Sequence, residues 1–128
     1  MQVFLTKWMA RFARREKISH ARLRDAIVRA ERGLVDADLG AGLIKQRVAR
    51  AGTGRSGGYR TIIAYRRAGR AVFLCGFAKS EQENLGADEL NTARDIAAIW
   101  LPADESKIAQ GLQSGELEEV SYGDEEAE

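Results

Sequence analysis

Residues 42–66 read GLIKQRVARAGTGRSGGYRTIIAYR, and the fold turns on the element that comes after the glycines. Gly52, Gly54 and Gly57 match the G-x-G-x-x-G dinucleotide fingerprint letter for letter. That fingerprint requires a helix directly after the glycines, because the helix N-terminus holds the pyrophosphate. Here the glycines lead into YRTIIAYR, residues 59–66, whose β-branched and aromatic side chains predict a strand. The match is therefore fortuitous. A kinase-type glycine loop does lie between strands, but HRD and DFG are both absent, as is the Gly-Lys-Ser/Thr of a P-loop. The segment reads instead as a hairpin loop. Glycine supplies the positive φ that a turn demands, while Arg50, Arg55 and Arg60 with exposed N–H groups make a phosphate site.

Upstream of the loop, LIKQRV predicts a strand with Leu43, Lys45 and Arg47 on one face and Ile44, Gln46 and Val48 on the other. Downstream, RAGR makes a turn and AVFLCGFA a third strand. Short loops between three strands predict an antiparallel meander. Arg60 opens the middle strand and Lys79 follows the third, so Lys45, Arg47, Arg60 and Lys79 are expected to converge on one open sheet surface. Tyr59 and Tyr65 offer stacking platforms for unstacked bases. Between Asp38 and Glu81 there are nine Lys/Arg and no acid.

The first third predicts a helical hairpin. A short apolar strand at residues 3–5 precedes a helix capped by Thr6, with Trp8, Met9 and Phe12 at helical spacing. Ser19 caps a second helix carrying Leu23, Ile27 and Ala30 on one face, ended near Gly33. After the strands, ADELNTARDIAAIWL regains helical spacing, and Pro102 marks its end. ADESKIAQGLQ predicts one short helix capped by Asp104, and the final GDEEAE reads as disordered. The expected order is (β)ααβββα with an acidic tail. This is an α+β domain over residues 1–101, with helices on one face of an antiparallel sheet, and an extension over 102–128.

A chain of 128 residues at 45% hydrophobic content suits one globular domain. No apolar run is long enough to cross a membrane. The basic, amphipathic start lacks the apolar core of a signal peptide. The single cysteine, Cys75, sits in an apolar run and reads as a small buried hydrophobe, which excludes an internal disulfide or a multi-cysteine metal site. These features place the chain in the cytoplasm. The net charge of +1 conceals an asymmetry. Residues 1–100 hold 19 Lys/Arg against 10 Asp/Glu, whereas residues 101–128 hold one lysine against nine acids. A basic body of this kind points to a polyanionic partner. The acidic tail is expected either to solubilise the chain or to shield the basic face.

With these segments in view, GLIKQRVARAGTGRSGGYRTIIAYR followed by VFLCGFAKSEQENL closely resembles the RelE/ParE toxin superfamily, in its HigB-like branch. The likeness spans residues 1–101. It implies a RelE-like fold and a toxin of a bacterial type II toxin–antitoxin module, silenced by a cognate antitoxin protein. Most members enter the A site of the 70S ribosome and cut mRNA there, whereas the ParE branch poisons DNA gyrase. The implied cleavage is attack by the mRNA's own 2′-hydroxyl on the adjacent phosphate, with no metal or cofactor. It needs a proton acceptor, stabilisation of the phosphorane and a proton for the leaving 5′-oxygen. By motif position, Lys45 and Arg47 match the family's strand-borne basic pair, Lys45 as base or proton relay. Arg60 matches its phosphate-stabilising arginine. Crowding by like charges is expected to draw a lysine's pKa towards neutrality. Arg50, Arg55, Tyr59 and Arg66 are the candidate RNA-binding residues. Where RelE has a second basic residue and then a catalytic tyrosine, this chain has Ser80 and, near the aligned position, Gly86. Lys79, Glu81 and Tyr59 are therefore the candidate acids. His20, the only histidine, reads as a solvated residue beside a helix cap.

Overall fold

The inner strands are largely apolar on both sides, which is what a sheet covered by helices on both faces requires. The computed structural model describes residues 1–50, 58–78 and 84–121. Within them the order is β1 (Gln2–Thr6), α1 (Lys7–Glu16), α2 (His20–Glu31), β2 (Ala37–Gly40), β3 (Leu43–Val48), β4 (Tyr59–Arg66), β5 (Arg70–Ala78), α3 (Ala87–Trp100), α4 (Glu105–Ser114) and β6 (Leu117–Glu119). The α+β architecture, the helical hairpin and the β3-β4-β5 meander are as the sequence predicts.

The sheet itself is larger than expected. Its strand order is β2-β3-β4-β5-β1-β6. β1 lies parallel to β5, with Gln2 opposite Arg70 and Leu5 opposite Phe73, so the sheet is mixed rather than wholly antiparallel. Parallel neighbours need a long crossover, and here the hairpin and the meander supply it. β2 and β6 are short edge strands of four and three residues. Their sequences, ADLG and LEE, carry little strand signal, and such brevity and charge suit an edge.

Helices cover both faces, which corrects the expectation of one. On the hairpin side, Met9, Phe12, Leu23 and Ile27 pack against Val3, Leu5, Ile63 and Phe73. On the other, Ala93, Ala97, Trp100 and Ile108 pack against Phe4, Ile62, Val72 and Leu74. The segment after Leu101 builds part of this second layer. Leu117 pairs with Thr6, and both Leu117 and Val120 are buried. Gly111 permits close packing there, since a Cβ would lie 2.6 Å from the Trp100 ring.

Helix ends are capped as the sequence suggests: Thr6, Ser19 and Asp104 accept from the backbone N–H of Met9, Arg22 and Lys107. Glu89 accepts from Gly86 N–H at 2.9 Å to close the start of α3. At its other end the buried Arg70 donates from Nη1 to the carbonyls of Trp100, Leu101 and Ala103, and from Nε and Nη2 to Gln2 Oε1. This cation is thus spent on carbonyls that the helix leaves unpaired.

Two carboxylate–phenol bonds tie the hairpin to β4. Tyr59 Oη donates to Glu16 Oε1 at 2.9 Å, and Tyr65 Oη donates to Glu31. Both tyrosines alternate onto the hairpin face, which sends Arg60 to the other.

Candidate functional site

The antiparallel register of β3 and β4 sets Arg47 opposite Arg60 and Lys45 opposite Ile62. Alternation places Lys45, Arg47 and Arg60 on the α3 side of the sheet, beyond the helix. The three cations therefore converge as expected, on the open end of an otherwise covered face. Each is half-buried. Directly opposed like charges destabilise a strand pair, so the arrangement favours an anion between them.

Two of the three cations are held in place. Lys45 Nζ donates to Asn84 Oδ1 at 2.6 Å. Arg47 Nη2 lies 3.9 Å from Asp36 Oδ1, while Asp36 Oδ2 accepts the Arg47 backbone N–H at 2.6 Å. The Arg47 carbonyl accepts from Arg29. Arg60 differs: its Nη1 is buried and has no hydrogen-bond partner among the described residues. A buried donor left unpaired costs about 1–3 kcal/mol. A phosphate oxygen would satisfy it with a charge-assisted bond. The base of the loop is also tight, since a Cβ on Gly58 would sit 2.7 Å from the Val48 carbonyl oxygen.

The other sequence candidates among the described residues do not join this group. Tyr59 is 2% exposed, edge-on to Phe12 at 5.4 Å between ring centroids, and bonded to Glu16 on the hairpin face. It is therefore neither a stacking platform nor a proton donor on the cationic face. Burial and the Glu16 carboxylate push its phenol pKa up, and the Tyr59 hydroxyl in turn holds Glu16 below the ordinary carboxyl value. Tyr65 is likewise engaged with Glu31. Arg50 lies with its guanidinium 5.6 Å from the Tyr59 ring centroid, on the hairpin side rather than among the three cations. Arg66 shares the face of Arg60 but six residues along β4, about 20 Å away, where it donates to the Leu101 carbonyl. Arg55, Lys79 and Glu81 lie outside the described residues.

His20 is a tether rather than a solvated residue. Its Nδ1 accepts the Ser121 N–H at 3.1 Å, binding the segment after β6 to the start of α2. Cys75 is half-buried, and burial with the nearby Glu89 charge pushes its thiol up to about 11. Asn84 and Asp36 are the site contacts that sequence reasoning missed. Asn84 lies inside the FAKSEQENL segment, but nothing in its spacing ties it to Lys45. Among the described residues no group of three or more His, Cys, Asp or Glu is arranged to hold a metal ion. None of the described helices is long and apolar enough to cross a membrane.

The family profile of the RelE toxin of the RelE/RelB toxin–antitoxin system matches residues 1–120. Comparison with curated proteins gives no match. The profile runs through α4 and β6 as well as the cationic face, and the chain belongs to the RelE toxin family.

Proposed function

We propose that this toxin is a ribosome-dependent endoribonuclease that cuts translated mRNA in the bacterial cytoplasm until an antitoxin protein silences it. The observation that carries the reading is the buried Nη1 of Arg60, without a partner among the described residues, set opposite Arg47 and beside Lys45. In this scheme a message phosphate lies between Arg47 and Arg60, which stabilise charge as it builds on the phosphorane. The 2′-oxygen bonds to phosphorus and passes its proton towards Lys45. The P–O5′ bond breaks, leaving a 2′,3′-cyclic phosphate. The departing O5′ takes up a proton, for which Lys79, the residue following β5, is the proposed donor. Asn84 accepts a hydrogen bond from Lys45 Nζ and so orients that nitrogen on the cationic face.

Expression of the chain alone should arrest growth, and primer extension should then reveal breaks confined to translated messages. Arg60→Ala should abolish both effects. Arrest accompanied by DNA breaks and intact mRNA would instead assign the toxin to the gyrase-poisoning branch. Intact DNA and intact mRNA would leave only a binding role.

A further inference from the structure

Beside the cationic face, a groove of about 340 Å³ runs between α1 and α3. We infer that this groove is a subsite for one unstacked base of the same RNA strand whose phosphate lies on Arg47 and Arg60. The inference rests on the proposed RNA reading and adds a base contact to it.

Position is the first argument. Lys45, Ile62 and Cys75 form one row across β3, β4 and β5. Two strand spacings, about 10 Å, therefore separate the Lys45 backbone from Cys75 on the groove floor. Asn84, which holds Lys45, directly precedes Leu85 in the groove wall. A strand bound at the cations thus has its neighbouring base within reach of the groove floor.

Chemistry is the second. Trp8 is 51% exposed although it lies on an otherwise well-packed helix, and its indole lines the groove with Cys75, Leu85 and Ile96. An aromatic wall over an apolar floor holds any base by stacking, because every base has a π-face. Lys7 Nζ lies 5.4 Å from the Trp8 ring centroid and adds positive charge beside the indole. At the rim stands Glu89, whose Oε1 accepts from Gly86 N–H. Its second oxygen is an acceptor for an exocyclic amino group, as carboxylates are for cytosine N4. The groove therefore favours an amino-bearing base over uracil.

The test uses the full chain and 70S ribosomes carrying a message whose A-site codon is 2′-O-methylated and so cannot be cut. Trp8→Ala should weaken binding about 5- to 150-fold, the range expected for loss of one base–aromatic stack. Trp8→Phe should restore most of it. The penalty of Trp8→Ala should vanish when one particular base in or beside the codon is replaced by an abasic sugar. An unchanged affinity, or the same penalty on every abasic message, overturns the inference. So does a Trp8→Ala variant that binds ribosomes normally but loses its antitoxin, since the groove would then belong to a protein partner. Arg60→Ala separates the two levels: if it too leaves ribosome binding unchanged, the RNA reading of the cationic face fails along with the subsite. If Arg60 matters and Trp8 does not, only the subsite fails.

Discussion

Arg47 and Arg60 face each other directly across β3 and β4, and among the described residues only Arg47 is drawn to an acid. Arg47 leans towards Asp36, whereas Nη1 of Arg60 is buried without a partner among those residues. Two guanidinium groups so placed raise the energy of the free protein and lower that of a complex with a phosphate. Arg60→Ala should therefore cut the rate of message cleavage about 100- to 1,000-fold, the scale of losing one preorganised charge-stabilising donor. The same change should leave the melting temperature equal or slightly higher, because it removes an opposed like charge. Single-turnover cleavage on programmed ribosomes, beside a thermal melt, checks both signs together.

Salt dependence distinguishes the clustered cations from the dispersed ones. Each phosphate contact to a single strand contributes about 0.7 to the slope of log affinity against log salt. Arg47→Ala should lower that slope by about one contact's worth. Arg66→Ala should not, since Arg66 sits at the far end of β4 and binds the Leu101 carbonyl. A salt titration of RNA binding by the two variants makes the comparison. Equal slopes would show that the RNA path extends along β4.

The contrast between Arg47 and Arg66 shows what the sequence discloses. Period-two alternation puts Lys45 and Arg47 on one face of β3, and the register of β3 with β4 adds Arg60 to it. Alternation puts Arg66 there too, because it fixes a face and not a position along that face. Tyr59 failed as a stacking residue for the converse reason. Its neighbours in sequence are cationic, but its face is the one α1 covers, and that depends on Glu16 and Phe12, far away in the chain. The second helix layer was legible but unread: AVFL in β5 is a continuous apolar run, as a strand covered on both faces requires. The parallel place of β1, and the contacts of Asn84 and Asp36, are long-range pairings that no local pattern encodes.

Truncation should separate the fold from the tail. Removing residues 113–128 strips β6 from β1 and takes Leu117 and Val120 out of the core. Losing two buried aliphatic side chains and an edge strand should cost several kcal/mol, about 1.5–3 for each side chain alone. Removing residues 122–128 leaves those contacts, and the His20–Ser121 bond, in place. Urea denaturation should show a large fall in midpoint for the first deletion and little change for the second. A test of tail shielding belongs to the shorter deletion, since the longer one confounds shielding with unfolding.

Gly58 should tolerate no side chain. Its Cβ would meet the backbone oxygen of Val48 at 2.7 Å, and a backbone atom in a strand cannot swing aside as a side chain would. Gly58→Ala should therefore destabilise by about 1–3 kcal/mol, as overpacking does. It should also lower cleavage beyond that loss, because the strain falls between Val48 and Tyr59, next to Arg47 and Arg60. Cleavage assayed well below the variant's melting temperature isolates the second effect. Full activity there would mean that the loop base does not position the cations.

Acid should loosen the hairpin from β4 before it affects the cationic face. Hydrogen bonds from Tyr59 and Tyr65 hold Glu16 and Glu31 below the ordinary carboxyl value of 4.5. A carboxyl whose folded pKa is depressed contributes stability that is complete above its unfolded pKa and lost as pH falls through the folded one. Stability should thus decline as pH drops below about 4.5. The phenols run the other way. Burial and the facing carboxylates raise both tyrosines, so their contribution holds below the ordinary value of 10.0 and fades as pH rises through the raised values. Replacing Glu16 and Glu31 together by Gln should lower the urea midpoint at neutral pH and flatten its fall between about pH 5 and about pH 3. Urea midpoints measured across that window for the native chain and the double variant decide the matter. Parallel curves would mean that other carboxylates govern acid stability, and that the two phenol bonds contribute no pH-dependent stability.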